Sequence, residues 1–226
     1  MDNKALSQVI DIAGSLVPRA LILHCVESYT HNDPCHNVGH MVQVLKEAQY
    51  LVNKDIRLDD RDKKLLYTSA LLHDLGCRYD RKNHHLISYG MTFPLLETLG
   101  FGMYTKEEIN IIALAVKEHR SSGDGGYTTF ISQLTALADK GKPDLNKYIT
   151  AAVLYRKNLK IPRIFKVESI LKHIEDKFGK DGYCWKTFPK LGLKLYKDEI
   201  EILIEAIKDR DYVKRLIVDK IKQIEA

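Results

Sequence analysis

Seven of the nine histidines lie between His31 and His119, and several are spaced to meet acidic side chains. His36 and His40 are four residues apart, so within a helix they share one face. His73 and Asp74 close an apolar run, TSALLHDLG, and Asp139 closes another, LTALADK. Charged and polar groups at the inner ends of apolar helices are costly to bury unless they are paired or hold a metal. Imidazole nitrogens with carboxylate oxygens suit manganese, iron or zinc, and magnesium less well. Such an ion would neutralise Asp74 and Asp139 together and acidify a bound water near neutral pH.

The elements that must position these residues read as helices throughout, because apolar positions recur at three and four and not at two. Helices are expected over about 3–13, 18–29, 36–51 and 60–75, with Asn32-Asp33-Pro34 breaking the chain between the second and third. Gly76 is expected as a left-handed cap on the fourth. The stretch 84–99 is expected to be helical with a kink or break at Pro94. Thr105 and Glu108 form a capping box that opens a helix leading to His119. The glycine-rich segment 121–126 is read as a connector able to act as a lid. Further helices are expected over 127–140, 146–159 and 166–178, and one amphipathic stretch over 197–224. The expected organisation is a working core over residues 1–160 and a helical extension over 161–226 packed on it.

At 226 residues the chain can bury a core without disulfides. Apolar residues are 45% and charged residues 29%, ordinary for a folded water-exposed protein. The net charge of +5 is spread along the chain; it suits an anionic small molecule and does not call for nucleic acid. The four cysteines form no C-x-x-C pair and read as reduced thiols of a cytoplasmic protein. No signal peptide and no membrane-spanning run are expected. The basic amphipathic C-terminal stretch is read first as a packed element and second as a homodimer contact.

CHNVGHMVQVL, ALLHDLG and ALADK, in that order, resemble the HD-domain superfamily of metal-dependent phosphohydrolases. The resemblance covers about residues 20–150 and implies an all-α, HD-domain-like helical bundle. It assigns His40 as the first metal ligand, His73 and Asp74 as the central doublet, and Asp139 as the last ligand. It also implies that His36, in a His-Asn pair like that of cyclic-nucleotide phosphodiesterases, acts on the leaving oxygen as general acid. Relatives with two metals use extra histidines where His84 and His119 stand here, with His85 a competitor. The Glu-Asp pair of guanosine-tetraphosphate hydrolases is replaced by Cys77-Arg78, and no Gly-Tyr-Pro motif is present.

A phosphate also needs cations. Arg78 and Arg120 are the first candidates, since guanidinium pairs with phosphate oxygens bidentately, and Lys82 and Lys140 the second. The expected protein is therefore a hydrolase of phosphate esters, of nucleotides above all, with one or two divalent metals (Mn, Fe, Zn or Mg). Two other readings stand beside it: a two-iron oxygenase of the same ligand set, and a non-catalytic nucleotide-binding regulatory module.

Overall fold

The computed structural model describes residues 3–54, 58–120 and 126–225, and among these there are helices and turns but no strands. The chain divides into two compact units, residues up to Gly141 and residues from Lys142.

In the first unit the helices are α1 (Asn3–Ala13), α2 (Arg19–Tyr29), α3 (Val38–Asn53), α4 (Asp60–Leu72), α5 (His84–Leu99), α6 (Lys106–Glu118) and α7 (Phe130–Lys140), with a 3-10 turn at Leu75–Arg78. The innermost is α4. Every residue from Leu65 to Leu72 is buried, against α3, α6 and α7. Thr68 and Ser69 manage this by returning their hydroxyls to the backbone: Thr68 donates to the Lys64 carbonyl and Ser69 to that of Leu65. The helix therefore delivers His73 and Asp74 into the buried interior.

Local signals place several boundaries as expected. Thr105 and Glu108 form the capping box of α6. Asp59 caps α4 through its side chain; Thr129 caps α7, which starts at Phe130 and not near Tyr127 as expected.

Other boundaries differ, each for a physical reason. The third helix begins at Val38 and not near His36, because the Asn37 side chain accepts from the Gly39 and His40 amides and caps it there. His36 thus sits in the approach to α3. The fourth helix ends at Leu72, and Gly76 is not a left-handed cap: among the described glycines only Gly102 and Gly141 have positive φ. Gly76 is where α5 crowds the 3-10 turn. A Cβ there would lie 2.4 Å from the His84 carbonyl oxygen, and the Gly76 amide donates to Ser88 Oγ. The helix α5 runs through Pro94 without a break. The lid expected over 121–126 lies outside the described residues except for Gly126.

The second unit holds α8 (Leu145–Arg156), α9 (Arg163–Phe178), short turns α10 (Tyr183–Lys186) and α11 (Lys190–Leu195), α12 (Lys197–Lys208) and α13 (Arg210–Glu225). Here α8 packs with α9 and α13, so the compact units part at Gly141 and not at residue 160. The stretch expected as one helix over 197–224 is two: Asp209 leaves helical geometry and its carboxylate accepts from the Tyr212 amide, starting α13.

Candidate metal centre

Five helix ends meet in the first unit. His40 comes from the first turn of α3, His73 and Asp74 from the end of α4, His84 from the start of α5, His119 from the end of α6, and Asp139 from the last turn of α7. His73, Asp74 and His119 are almost fully buried, and His84 nearly so.

The backbone sets the imidazole tautomers. The Nδ1 atoms of His73, His84 and His119 lie 2.8, 2.7 and 2.6 Å from the carbonyls of Ala70, Arg81 and Val116. A carbonyl only accepts, so each Nδ1 carries the hydrogen, and in the neutral ring each Nε2 presents a lone pair. Those lone pairs converge. His73 Nε2 is 3.3 Å from His40 Nε2, and His84 Nε2 is 3.1 Å from His119 Nε2.

The carboxylates enter the same space. Asp139 Oδ1 lies 3.2 Å from His40 Nε2 and 3.8 Å from His73 Nε2. Asp74 divides its oxygens: Oδ2 is 3.2 Å from His73 and 3.4 Å from His40, while Oδ1 is 3.2 Å from His84 and 3.4 Å from His119. The donors form two groups, His40–His73–Asp139 and Asp74–His84–His119, each with its ligand atoms within 4.8 Å of one another.

Lone pairs and carboxylate oxygens repel one another at such distances unless something positive lies among them. Asp74 Oδ2 is buried and has no hydrogen-bond partner. Protonation is one remedy: burial disfavours it at His40, yet the Asp139 and Asp74 carboxylates hold that ring's pKa up at about 9. It does not serve the other group, where burial pulls His84 down to about 4 in spite of Asp74. Burial opposes ionisation of Asp74 and Asp139 as well, but the surrounding imidazoles keep both carboxyls well below their ordinary range. Imidazole nitrogens and carboxylate oxygens in this mixture fit borderline divalent cations.

The expected residues are thus sorted. His84, and not its neighbour His85, joins the Asp74–His119 group. His36 is at the edge, its Nδ1 bonded to Asp33 Oδ2 at 2.8 Å and its ring 5.8 Å from that of His40 and 6.0 Å from that of His84. His36 also groups with Asp74 and Cys77. Burial, with the Asp74 and Asp33 charges, pushes the Cys77 thiol far up.

The candidate cations are placed less centrally. Arg78 is exposed and lies over the Tyr79 ring. Lys82 is exposed, and Arg120 donates to its carbonyl oxygen at 2.7 Å. Lys140 is buried and donates to the His119 carbonyl and to Tyr127. That bond braces the end of α6.

Sequence reasoning missed four contributors. The Tyr29 hydroxyl accepts from the Asp74 amide and lies 3.2 Å from His73 Nδ1. Asn32 donates to the carbonyls of His36 and Asp74, tying the approach to α3 to the doublet. Asp33 holds His36, and Arg81 sits 3.5 Å from Asp33. The signal for Asp33 was its spacing, three residues before His36. Nothing local marks the others.

A helical bundle that brings three helix-end histidines, a further histidine and two carboxylates together has the donor set that could hold a divalent metal. The chain belongs to the HD domain family, which its residues 37–216 match, and so to the metal-dependent phosphohydrolase superfamily. A Clostridium beijerinckii protein carrying the name "Uncharacterized protein" is 32% identical over 108 residues, 46% of this chain and 63% of that relative. The chain therefore spans less than two thirds of that relative's length. No solved structure matches it.

Proposed function

We propose that the chain hydrolyses phosphate esters, with nucleotides as the foremost substrate class, at a centre for two divalent cations. The observation that carries this reading is the division of Asp74: one oxygen faces His40 and His73, the other His84 and His119. His40, His73 and Asp139 would hold one ion, His84 and His119 the other, and Asp74 would bridge them. Cations in such a pair lower the pKa of water toward neutrality and offset charge on a phosphoryl group.

The chain's own residues supply the rest. Asp33 engages His36 Nδ1, which orients the ring and leaves Nε2 to give a proton to the leaving oxygen. Burial opposes ionisation of Asp33, but the bond and charge of His36, the Cys35 amide and Arg81 bring its pKa down to about 2. Asp33 therefore stays an acceptor throughout the physiological range. Arg78, Arg120 and Lys82 are proposed phosphate contacts. Arg81 joins them because its guanidinium stands beside the His36–Asp33 pair. Lys140 serves by holding the backbone at His119.

The test is phosphate release from a panel of nucleotides by manganese-loaded protein under nitrogen. Turnover is expected, and it is expected to vanish in Asp74→Ala. Phosphate release by a metal-free Asp74→Ala protein would sink the proposal. The same six donors also suit a two-iron oxygenase; oxygen consumption by the iron-loaded protein, with no phosphate release under nitrogen, would decide for that chemistry.

A further inference from the structure

The turn between α8 and α9 differs from an ordinary surface connection. Every residue from Lys157 to Phe165 is exposed. Connectors of this kind are usually polar, and single apolar residues on a surface need no explanation. Here Tyr155, Leu159, Ile161, Ile164 and Phe165 stand together, with 57, 48, 40, 69 and 65% of their surfaces in water. Pro162 sets the start of α9 between them.

The same stretch is cationic. Between Asp144 and Glu168 there is no acidic residue, but there are Lys147, Arg156, Lys157, Lys160, Arg163 and Lys166. Lys147 is engaged, and so are three of the others. Lys166 is buried on Glu225, Arg156 is held by Ser169 and the Ala152 carbonyl, and Arg163 donates to the Val218 carbonyl. Lys157 and Lys160 remain exposed on the turn itself, flanking Leu159.

We propose that this turn docks the chain on the surface of an anionic lipid bilayer. The aliphatic and aromatic tips of Leu159, Ile161, Ile164 and Phe165 enter the interfacial layer, and Lys157 and Lys160 lie among the headgroups. Charge chooses the occupant. An acid-free cationic turn is repelled by a second copy of itself and attracted by an anionic leaflet. Nucleic acid would satisfy the cations but would gain little from Leu159, Ile161 and Ile164, which cannot stack on bases. A bilayer satisfies both sets, because long cationic side chains reach the headgroups while apolar ones insert. No helix among the described residues is long and apolar enough to cross a membrane. The sequence leads to no membrane partner and places a membrane surface last for the C-terminal stretch; the exposed turn departs from that expectation, and a peripheral contact needs no spanning helix.

Flotation of the full chain with vesicles tests this. The chain is expected to float with vesicles containing about one third phosphatidylglycerol and not with phosphatidylcholine alone, and to release at high salt. Lys157→Ala with Lys160→Ala should weaken partitioning by about fivefold for each lysine removed. Ile164→Ser with Phe165→Ser should also abolish flotation while circular dichroism stays unchanged, since both side chains are exposed. Failure of the unaltered chain to float with the anionic vesicles overturns the proposal. So does flotation that neither double variant weakens, or an oligomer that the Ile164→Ser and Phe165→Ser variant dissociates. The readout does not involve turnover, so it stands or falls apart from the phosphohydrolase reading.

Discussion

Replacing His119 and replacing Asp74 should have unequal consequences for metal binding, and the inequality follows from the geometry. Among the described donors, His119 Nε2 lies within hydrogen-bond distance of Asp74 Oδ1 and His84 Nε2. Asp74 meets both histidine pairs. His119→Ala should therefore lose one ion, while Asp74→Asn loses the shared negative charge and weakens both. An ion present at a hundred times its dissociation constant stabilises the fold by about 2.7 kcal/mol. At about 2–4 °C per kcal/mol for a chain of this size, one ion raises the melting temperature by about 5–10 °C and two by about twice that. Melting curves with and without manganese, run on each variant, cancel any cost of the substitution itself. Elemental analysis gives the ion count. The expected order of metal-dependent shift is unaltered protein, then His119→Ala at about half, then Asp74→Asn near zero. Phosphate release should fall by about 10³-fold in Asp74→Asn, the loss of about 4 kcal/mol of transition-state stabilisation. An Asp74→Asn protein that keeps two ions and the full shift would refute the bridging arrangement.

Three other perturbations test the surrounding structure. Gly76→Ala places a Cβ 2.4 Å from the His84 carbonyl oxygen, so α5 must move; about 1–3 kcal/mol of stability should be lost, with the ion count falling toward one although no ligand is altered. Glu108→Ala removes the capping box and the partner of Arg61 and Lys64, and should cost about 1–3 kcal/mol in urea unfolding at pH 7. Burial opposes ionisation of Glu108, but the Thr105 amide, Lys64 and Arg61 outweigh it and hold its pKa below the usual value. That stabilisation is present above the unfolded carboxyl's pKa of about 4.3 and fades as pH falls through the lower folded value, so the gap between Glu108→Ala and the unaltered protein should narrow in acid. Phe101 is exposed and has φ of 48°; Phe101→Asn, which tolerates that conformation better, should stabilise by about 0.5 kcal/mol in the same assay.

How much of this could be read along the chain depends on the reach of each signal. The capping box of α6 and the apolar run before His73 were legible because a cap or a buried helix is decided within a few residues. The four-residue spacing of His36 and His40 was less informative than it looked: Asn37 caps α3 between them, so one leads into the helix and the other lies on it. Gly76 misled for a related reason. A glycine after an apolar helix suggests a left-handed turn, yet here its value is the absence of a Cβ facing the α5 backbone from His84 to Ser88.

The grouping of the donors was illegible in principle. Spacing can say that His84 and His119 belong to helix ends, but whether they meet the first or the second oxygen of Asp74 depends on how α5 and α6 pack against α4. That packing is also what turns His84 inward and leaves His85 beside it. The backbone carbonyls at residues 70, 81 and 116 complete the arrangement, since each takes the Nδ1 hydrogen of the histidine three positions later. A histidine held that way can only offer its other nitrogen, and three such nitrogens, with that of His40, around two ionised carboxylates leave positive charge as the remaining requirement.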